Sequence, residues 1–284
     1  MAAILWCDRV KTLFGRAALV TGGLTGQGFA IAESLAAEGA NVAVGSFIGA
    51  GKGRALDAAA YPEEAEVDRI RSTLVAKGVK VYAAHLDIRD TAIIEAFIAG
   101  AEASCGPIDI LVNAAGTTAE QPVCGHSEDL WLKIIDTNLN GTFRMTRGLL
   151  PGMISRRWGR IINIGSTAAA AGWRDNPAYC ASKSGLLGLT RCVALEGAPY
   201  GVTCTMISPT WVETEMMHRN LAQVAEREGK GRTASGLMRD VADLNPQKRI
   251  IQPGEVAALT AFLCSDGARG LTGENIQITG GAQW

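Results

Sequence analysis

The feature of this sequence that most constrains its fold is an alternation of short apolar runs, rich in β-branched residues, with longer segments of helical period. Such alternation is typical of repeated strand and helix units around a parallel sheet. No Ser/Pro-rich linker interrupts it, so the pattern predicts an α/β chain folded as one domain over residues 1–284. The predicted strands are residues 17–21, 41–46, 80–84, 108–113, 160–165, 203–208 and 275–278. The predicted helices begin near Gln27, Pro62, Thr91, Ser127, Pro177, Glu213 and Pro253.

Composition and charge exclude several kinds of partner. Hydrophobic residues make up 48% of the chain and aromatic residues 6%, a mixture that favours close packing of helices on a sheet. A net charge of -1 provides no basic stripe for a phosphate backbone, so we expect no nucleic-acid partner. The apolar start reaches Asp8 and Arg9 after a few residues and no basic region precedes it. We therefore expect no signal peptide, no membrane span and a cytoplasmic location.

Cysteine and histidine spacing gives no sign of a disulfide framework or a metal site. The 7 cysteines are scattered and never form a C-x-x-C pair, which favours reduced thiols packed as small apolar groups. His85, His126 and His218 lie far apart without ligand spacing to cysteine or acidic residues. We therefore expect no metal.

Two connections are longer than the rest. Residues 48–62, after the second predicted strand, exceed the usual length of a strand-to-helix connection and contain GAGKG, which predicts a flexible insertion. Residues 211–252 are long, polar and contain methionine, as a mobile lid over a substrate pocket would be. An ordinary pair of surface helices is the alternative for this second segment.

A glycine-rich turn follows the first predicted strand. The sequence TGGLTGQG places Gly22, Gly26 and Gly28 between strand and helix, with Thr25 and Gln27 among them. Glycines at such a turn let the backbone approach a pyrophosphate at the helix N-terminus and let the helix pack closely on the strand. The turn therefore predicts a dinucleotide site.

The end of the second predicted strand indicates which dinucleotide binds. Ser46 and Phe47 stand where an acidic residue or an arginine would select NAD or NADP. Lys52 and Arg54 could reach a 2′-phosphate, whereas Phe47 would crowd one. NAD is favoured as cofactor, and NADP is the alternative.

A tyrosine and a lysine one helical turn apart form the candidate catalytic pair. Tyr179 and Lys183 lie in NPAYCASKSG, where the spacing places both on one face of a helix. The lysine ammonium favours phenolate over phenol, so the pair predicts a tuned general acid/base. Ser166 ends a predicted strand thirteen residues earlier, and Asn138 lies inside the preceding helix, where an amide is poorly suited without a special role.

Together these elements resemble the short-chain dehydrogenase/reductase family from Gly15 to the C-terminus. The resemblance is carried by TGGLTGQG, the LD of HLDIRD, LVNAAG, TNLNG, INIGS, YCASK and SPTWVETEM. It implies a Rossmann fold, a doubly wound seven-stranded parallel sheet flanked by helices. It also implies hydride exchange between a nicotinamide cofactor and a secondary alcohol or ketone, in a homotetramer or, alternatively, a homodimer.

The resemblance assigns a role to each matching residue. It makes Tyr179 the acid/base, Ser166 the group that steadies the substrate oxygen, Lys183 the residue that holds the nicotinamide ribose and lowers the tyrosine pKa, and Asn138 the anchor of a proton-conducting water. The further cofactor contacts that it implies are Asp87, Ile88, Asn113, Ala114, Ala115, Gly116, Pro209, Val212 and Thr214.

Two departures from the family pattern bear on the cofactor site. Ala114 replaces a usual second asparagine, which removes one side-chain hydrogen bond near the central sheet. Thr210 follows Pro209 where glycine is usual, which alters the turn around the nicotinamide.

The substrate site resembles D-3-hydroxybutyrate dehydrogenases only in part. GSF and PTWV are similar, but Thr118, Ala168 and Asn176 stand where that subgroup has the glutamine, histidine and lysine that grip a carboxylate. Burying a carboxylate without such partners is unfavourable, so hydroxybutyrate is disfavoured.

Other side chains suggest a fairly apolar pocket with one charged anchor. Such a pocket would suit a cyclic, aromatic or sugar-like alcohol or ketone. In the alternative interpretation Arg174 pairs with Asp175 at the surface. The pocket candidates are Trp173, Arg174, Trp211, Met216 and Met217.

Two rival functions are open at this level. A dinucleotide-binding sensor without turnover would be indicated by a broken set of catalytic residues, and here the set is intact. A reductase of 3-oxoacyl groups on a carrier would require a basic entrance, for which the mixed charges of residues 222–232 give little support.

Overall fold

The computed structural model describes residues 11–49, 61–229 and 231–282. In this part of the chain seven parallel strands form one sheet in the order β3-β2-β1-β4-β5-β6-β7. The predicted seven-stranded, doubly wound Rossmann fold is confirmed. The strands are β1 Ala17–Thr21, β2 Asn41–Ser46, β3 Val81–His85, β4 Ile110–Asn113, β5 Gly159–Ile164, β6 Val202–Pro209 and β7 Asn275–Ile278.

Helices alternate with the strands along the described chain. The fourth predicted helix, near Ser127, is in fact two α-helices joined by a π-helical segment, Asp136–Gly141. The α-helices are α1 Gly26–Ala37, α2 Glu64–Val75, α3 Thr91–Cys105, α4 Glu128–Ile135, α5 Thr142–Arg156, α6 Pro177–Gly197, α7 Glu215–Glu228, α8 Ala234–Leu244 and α9 Pro253–Cys264.

The sheet is apolar on both faces because helices cover both. Alternate residues of β1 point to opposite faces, so Ala18 and Val20 belong to one core cluster and Ala17 and Leu19 to the other. Helices α1, α2 and α9 contribute to the first cluster, and α3, α5 and α6 to the second. The low aromatic content of the sequence suits this close packing.

The segment at 211–252 folds into the two helices α7 and α8. Their contact is filled by a small separate cluster of Met217, Leu221, Ala225 and Leu237. Two helices agree with both the lid and the surface helix pair that the sequence left open. The insertion predicted at about 48–62 falls mostly on residues 50–60, which lie outside the described residues.

The carboxyl ends of β1 and β4 form the crevice that positions the site. The chain winds outward from β1 to β2 and β3 on one side, and from β4 to β7 on the other, so the direction of winding changes between β1 and β4. Ligands of open α/β sheets bind at such a point. In the described part of the chain, no helix is both long and apolar enough to span a bilayer.

Candidate active site

The glycine turn between β1 and α1 leaves room for a ligand by excluding side chains. A Cβ on Gly28 would lie 2.1 Å from the Gly22 carbonyl oxygen, and one on Gly22 would lie 2.8 Å from the Ala115 nitrogen. Gly22 and Gly26 also have positive φ angles, 67° and 49°, which favour glycine. The turn is therefore a backbone cradle against the loop that follows β4.

The start of α1 offers unsatisfied donors to this cradle. Thr25 is the N-cap residue, but its side chain makes no capping hydrogen bond. The first N–H groups of a helix lack partners within the helix and attract anions. Gln27 Oε1 is also buried without a hydrogen-bond partner. The cradle and the open helix start fit a bound dinucleotide pyrophosphate, whereas the unpaired Gln27 Oε1 can only accept from a donor group such as a hydroxyl.

The part of the predicted site that would hold adenosine contains an aromatic ring contact and an ion pair. Ser46 Oγ accepts a hydrogen bond from Leu24 N at 3.2 Å, so this hydroxyl helps to hold the glycine turn. The Phe47 ring packs against His85, with ring centroids 5.0 Å apart. Asp87, only 4% exposed, pairs with Arg89 at 2.8 Å. The sequence analysis did not foresee this ion pair, which engages the carboxylate of a predicted cofactor contact.

Ile88 and Asn113 contribute to the core as much as to the site. Ile88 is buried against Gly141, where an added Cβ would lie 2.6 Å from Ile88 Cδ1. Asn113 is 3% exposed, and its Nδ2 donates to Asn163 Oδ1 at 2.9 Å. The side chain of Asn113 therefore bonds across to β5, and only the backbone of this residue is left to contact a cofactor.

The loop after β4 is held by a residue that the sequence analysis missed. Thr21 Oγ1 accepts hydrogen bonds from Ala114 N at 3.2 Å and from Ala115 N at 3.1 Å. These bonds fix the loop although Ala114 has lost the amide that the family pattern usually provides. The only sequence signal is the position of this threonine at the very end of the first predicted strand.

The predicted cofactor contacts that follow the start of β6 come close to the glycine turn. Pro209 ends β6, and Val212 forms an isolated parallel bridge with Ile251. Thr214 caps α7 by accepting from Met217 N at 3.3 Å, and its Cγ2 lies 3.4 Å from the position of a Cβ on Gly26. The fold thus brings together two predicted cofactor segments that are far apart in sequence.

Asn138 lies in the π-helical segment, where its amide is fully engaged. Its Oδ1 accepts from Thr117 N at 2.8 Å, and its Nδ2 donates to Thr117 O at 2.9 Å and to Ser182 Oγ at 3.0 Å. Its main-chain oxygen accepts from Thr142 Oγ1 at 3.1 Å. The side chain therefore ties the β4 loop to the helices, and the expected water anchor is restricted to the main-chain carbonyl.

Tyr179 and Lys183 occupy the first turns of α6, as the sequence predicts, because Pro177 starts this helix. The Lys183 Nζ lies 5.6 Å from the Tyr179 ring centroid and donates to Ile164 O at 2.8 Å. Lys183 is only 5% exposed, and burial lowers its pKa to about 8.

Burial and hydrogen bonding act in opposite directions on the pKa of Tyr179. Burial raises the pKa of the phenol, and the facing Ser166 side chain opposes this by hydrogen bonding. The Lys183 ammonium is directed at the end of β5, where it donates to the Ile164 carbonyl oxygen. That Lys183 lowers the tyrosine pKa stays a prediction.

The pocket candidates separate into two groups. Trp173 and Trp211 meet edge to face with ring centroids 6.0 Å apart, and Trp173 N also donates to Cys180 Sγ at 3.3 Å. Thr118 Oγ1 donates to Asn176 Oδ1 at 3.0 Å, and this bond joins the loop after β4 to the residue that precedes α6. These contacts gather four of the sequence-selected residues around the start of α6.

The remaining candidates lie elsewhere. The Arg174 side chain is 95% exposed and lies 3.9 Å from Asp175, which favours the surface-pair alternative. Ala168 is buried, and Met217 packs in the core of the helix pair rather than facing a pocket. Met216 is 43% exposed. In the described residues, no cluster of three or more His, Cys, Asp or Glu side chains could hold a metal ion.

Comparisons with known proteins agree with this fold and site. The chain is 35% identical over 269 residues to the D-beta-hydroxybutyrate dehydrogenase of Cupriavidus necator, covering 95% of this chain and 98% of that protein. It is 36% identical over 268 residues to the monensin polyketide synthase putative ketoacyl reductase of Streptomyces virginiae, covering 94% and 96%. The L-sorbose reductase of Gluconobacter frateurii, solved with NADPH and L-sorbose, superposes with a TM-score of 0.85 at 27% identity, covering 96% and 98%.

Residues 16–225 match the family model described as short chain dehydrogenase, and the chain belongs to this family. It is accordingly an oxidoreductase that acts on CH–OH groups.

Proposed function

We propose that the protein transfers a hydride reversibly between a nicotinamide dinucleotide and a secondary alcohol or its ketone, with Tyr179 as the acid/base. The observation that carries this proposal is the grouping of Ser166, Tyr179 and Lys183 at the carboxyl edge of the sheet that also bears the glycine turn. The nicotinamide, when bound, donates or accepts the hydride. The chain's own residues bind and orient the reactants and move the proton.

Each polar side chain has a distinct task in this proposal. The Tyr179 phenol exchanges a proton with the substrate oxygen, and Ser166 donates a hydrogen bond to that oxygen as negative charge develops. Lys183 holds the nicotinamide ribose with an ammonium that is already desolvated. Asn138 fixes the β4 loop and helix α6 relative to each other, and a bound water would share its main-chain oxygen with Thr142 Oγ1.

Tyr179→Phe tests the proton-transfer role. This variant keeps the ring and loses the hydroxyl, so we expect kcat to fall by at least about a hundredfold, as loss of a general acid/base does. Dinucleotide binding, measured by titration calorimetry, should change little. Turnover at the wild-type rate would refute the assignment, and failure of the wild-type protein to bind either dinucleotide would refute the function as a whole.

NAD is the proposed cofactor, and NADP is the alternative. The Phe47 ring at the end of β2, packed against His85, crowds a 2′-phosphate, which supports NAD. The NADPH in the structure of the similar L-sorbose reductase supports NADP instead. Dissociation constants for NAD and NADP, measured on wild type and on Phe47→Ala, decide between them. A wild-type preference for NADP would overturn the choice.

A cyclic, aromatic or sugar-like alcohol or ketone is the proposed substrate. The edge-to-face rings of Trp173 and Trp211 support an apolar, aromatic contact surface beside α6. Alanine at either position should lower kcat/KM for 2-tetralone about tenfold and change kcat/KM for 2-octanone less than twofold. Trp158→Ala is the matched control, because Trp158 immediately precedes β5 and so lies at the amino end of the strands, away from the proposed site. Equal losses for both ketones would contradict this substrate class.

A substrate of the 3-oxoacyl or 3-hydroxy acid type, reduced or oxidised respectively at C3, is the second candidate. It is favoured by similarity to the Streptomyces ketoacyl reductase and to the Cupriavidus dehydrogenase. An acetoacetyl thioester and free acetoacetate, assayed beside the cyclic ketones, separate the candidates by kcat/KM.

We further propose that residues 211–252 act as a lid, that the protein is cytoplasmic and that it forms a homotetramer, with a homodimer as the alternative. Contact between Thr214 and the Gly26 position supports the lid, since the start of α7 borders the predicted cofactor site. The six described cysteines are free thiols, which suits a reducing compartment. Protection of residues 211–252 from proteolysis by added dinucleotide, and fractionation of the native cell, test the first two proposals.

A further inference from the structure

Ser182 is a buried hydroxyl that touches two of the four proposed catalytic residues. It has 0% exposure. Its Oγ donates to the Tyr179 carbonyl oxygen at 2.7 Å and accepts from Asn138 Nδ2 at 3.0 Å. A serine hydroxyl has one proton to donate, so the two contacts use it as donor and acceptor at once.

These bonds belong to a chain that crosses three elements. Asn138 is bonded through both amide atoms to the backbone of Thr117, in the loop after β4. Asn138 itself lies in the π-helical segment, and Ser182 lies on α6. The chain from Thr117 through Asn138 and Ser182 to the Tyr179 carbonyl therefore sets how α6 sits against the β4 loop.

The loop end of this chain borders the catalytic lysine. A Cβ on Gly116, which precedes Thr117, would lie 3.5 Å from Asn138 Oδ1 and 3.7 Å from Lys183 Nζ. A shift of α6 along this contact would move the phenol of Tyr179 and the Lys183 ammonium together. Displacements of about 1 Å can reduce turnover a hundredfold when they misplace reacting groups.

We propose that Ser182 is a positioning residue for proton transfer, acting through Asn138 and through the Tyr179 backbone to hold the phenol in line with Ser166. This inference rests on the proposed function, since it takes Tyr179 as the acid/base. Ser182 itself touches neither substrate nor cofactor in this role.

Thr190 supplies a matched control on the same helix. It also has 0% exposure, its Oγ1 donates to the Leu186 carbonyl at 2.8 Å, and it accepts from the amide of Asn163 at 2.9 Å. Thr190→Val and Ser182→Ala therefore each remove a buried hydroxyl that joins a helix carbonyl to an asparagine amide. Only Ser182 connects to the proposed catalytic residues.

The test compares kcat, KM and the pH profile of kcat for the two variants. Ser182→Ala should lower kcat at least tenfold and raise KM for the dinucleotide by a smaller factor, because Lys183 shifts with the phenol. It should also raise the apparent pKa of the kcat profile, because the influence of Ser166 that lowers the Tyr179 pKa weakens. Thr190→Val should leave kcat and its pH profile unchanged. Equal kinetic effects of the two variants would overturn the inference.

A double variant distinguishes a shared pathway from two separate effects. Asn138→Ala combined with Ser182→Ala should lower kcat little more than Asn138→Ala alone, because both act in one chain. Multiplied losses would contradict the inference. If Ser182→Ala does not fold, Ser182→Cys, which keeps a weak donor of similar size, should give a partial loss of kcat, and wild-type kinetics would overturn the proposal. Wild-type turnover in Tyr179→Phe would instead refute the proposed function.

Discussion

Lys183 holds a charge where solvent barely reaches, and this makes the residue unfavourable for folding. Its pKa is lowered to about 8 in the fold, below the ordinary 10.5, so the unfolded chain binds the proton more tightly. The free energy of unfolding should therefore rise with pH between about 8 and 10.5, and the burial penalty is fully present below pH 8.

Lys183→Met tests this linkage. We expect the stability of wild type relative to Lys183→Met to increase by about 2 kcal/mol from pH 7 to pH 9.5, since most of the proton is lost from the folded state in that interval. Urea unfolding at both pH values measures it. Taking the difference between the two proteins cancels the tyrosines and cysteines that titrate in the same range. A constant difference across this interval would show that Lys183 is not desolvated.

Motifs in the sequence were sufficient to select Asn138, Ser166, Tyr179 and Lys183, but not their partners. The spacing of Tyr179 and Lys183 predicts a shared helix face, because that depends on local geometry alone. The direction of the tyrosine pKa depends instead on burial, and this is set by residues distant in sequence. The bond from Asn138 to Ser182 spans 44 positions and has no local signature.

At the scale of elements, the turn between β1 and α1 depends on its missing side chains. Gly28→Ala would place a Cβ 2.1 Å from the Gly22 carbonyl oxygen, which is backbone and cannot rotate away. We expect a loss of about 2–3 kcal/mol in the free energy of unfolding and much weaker dinucleotide binding. Gly254→Ala is the control, because its added Cβ in α9 meets nothing within 4 Å and should be neutral or slightly stabilising. Similar losses in both variants would contradict the cradle.

The strands were predictable to within two residues because fully buried parallel strands have a simple apolar signature. The helices α7 and α8 were harder to predict from the sequence, because they bury only a small apolar cluster between them. The π-helical segment Asp136–Gly141 has no compositional sign, because its extra residue is accommodated by contacts with α6 and the β4 loop.

For the whole molecule, exposed apolar side chains on neighbouring helices support the proposed assembly. Leu195 on α6 is 78% exposed, Phe143 on α5 46% and Leu132 on α4 53%. Leu195→Asp should dissociate the tetramer into smaller species, measured by light scattering at micromolar concentration. Val75→Asp, at an exposed position of α2, should leave the assembly intact. A wild-type monomer would refute the proposal.

The bridge between Val212 and Ile251 has a consequence for engineering. It brings the two ends of the helix pair together at one point on the scaffold, and the pair has an apolar cluster of its own. The intervening segment is thus a compact helical unit that meets the scaffold at this bridge and through the hydrogen bond from Gln247 N to the Gly280 carbonyl oxygen at 3.2 Å. Exchanging it for a counterpart from a relative should redirect substrate choice while leaving Tyr179 and its neighbours in place.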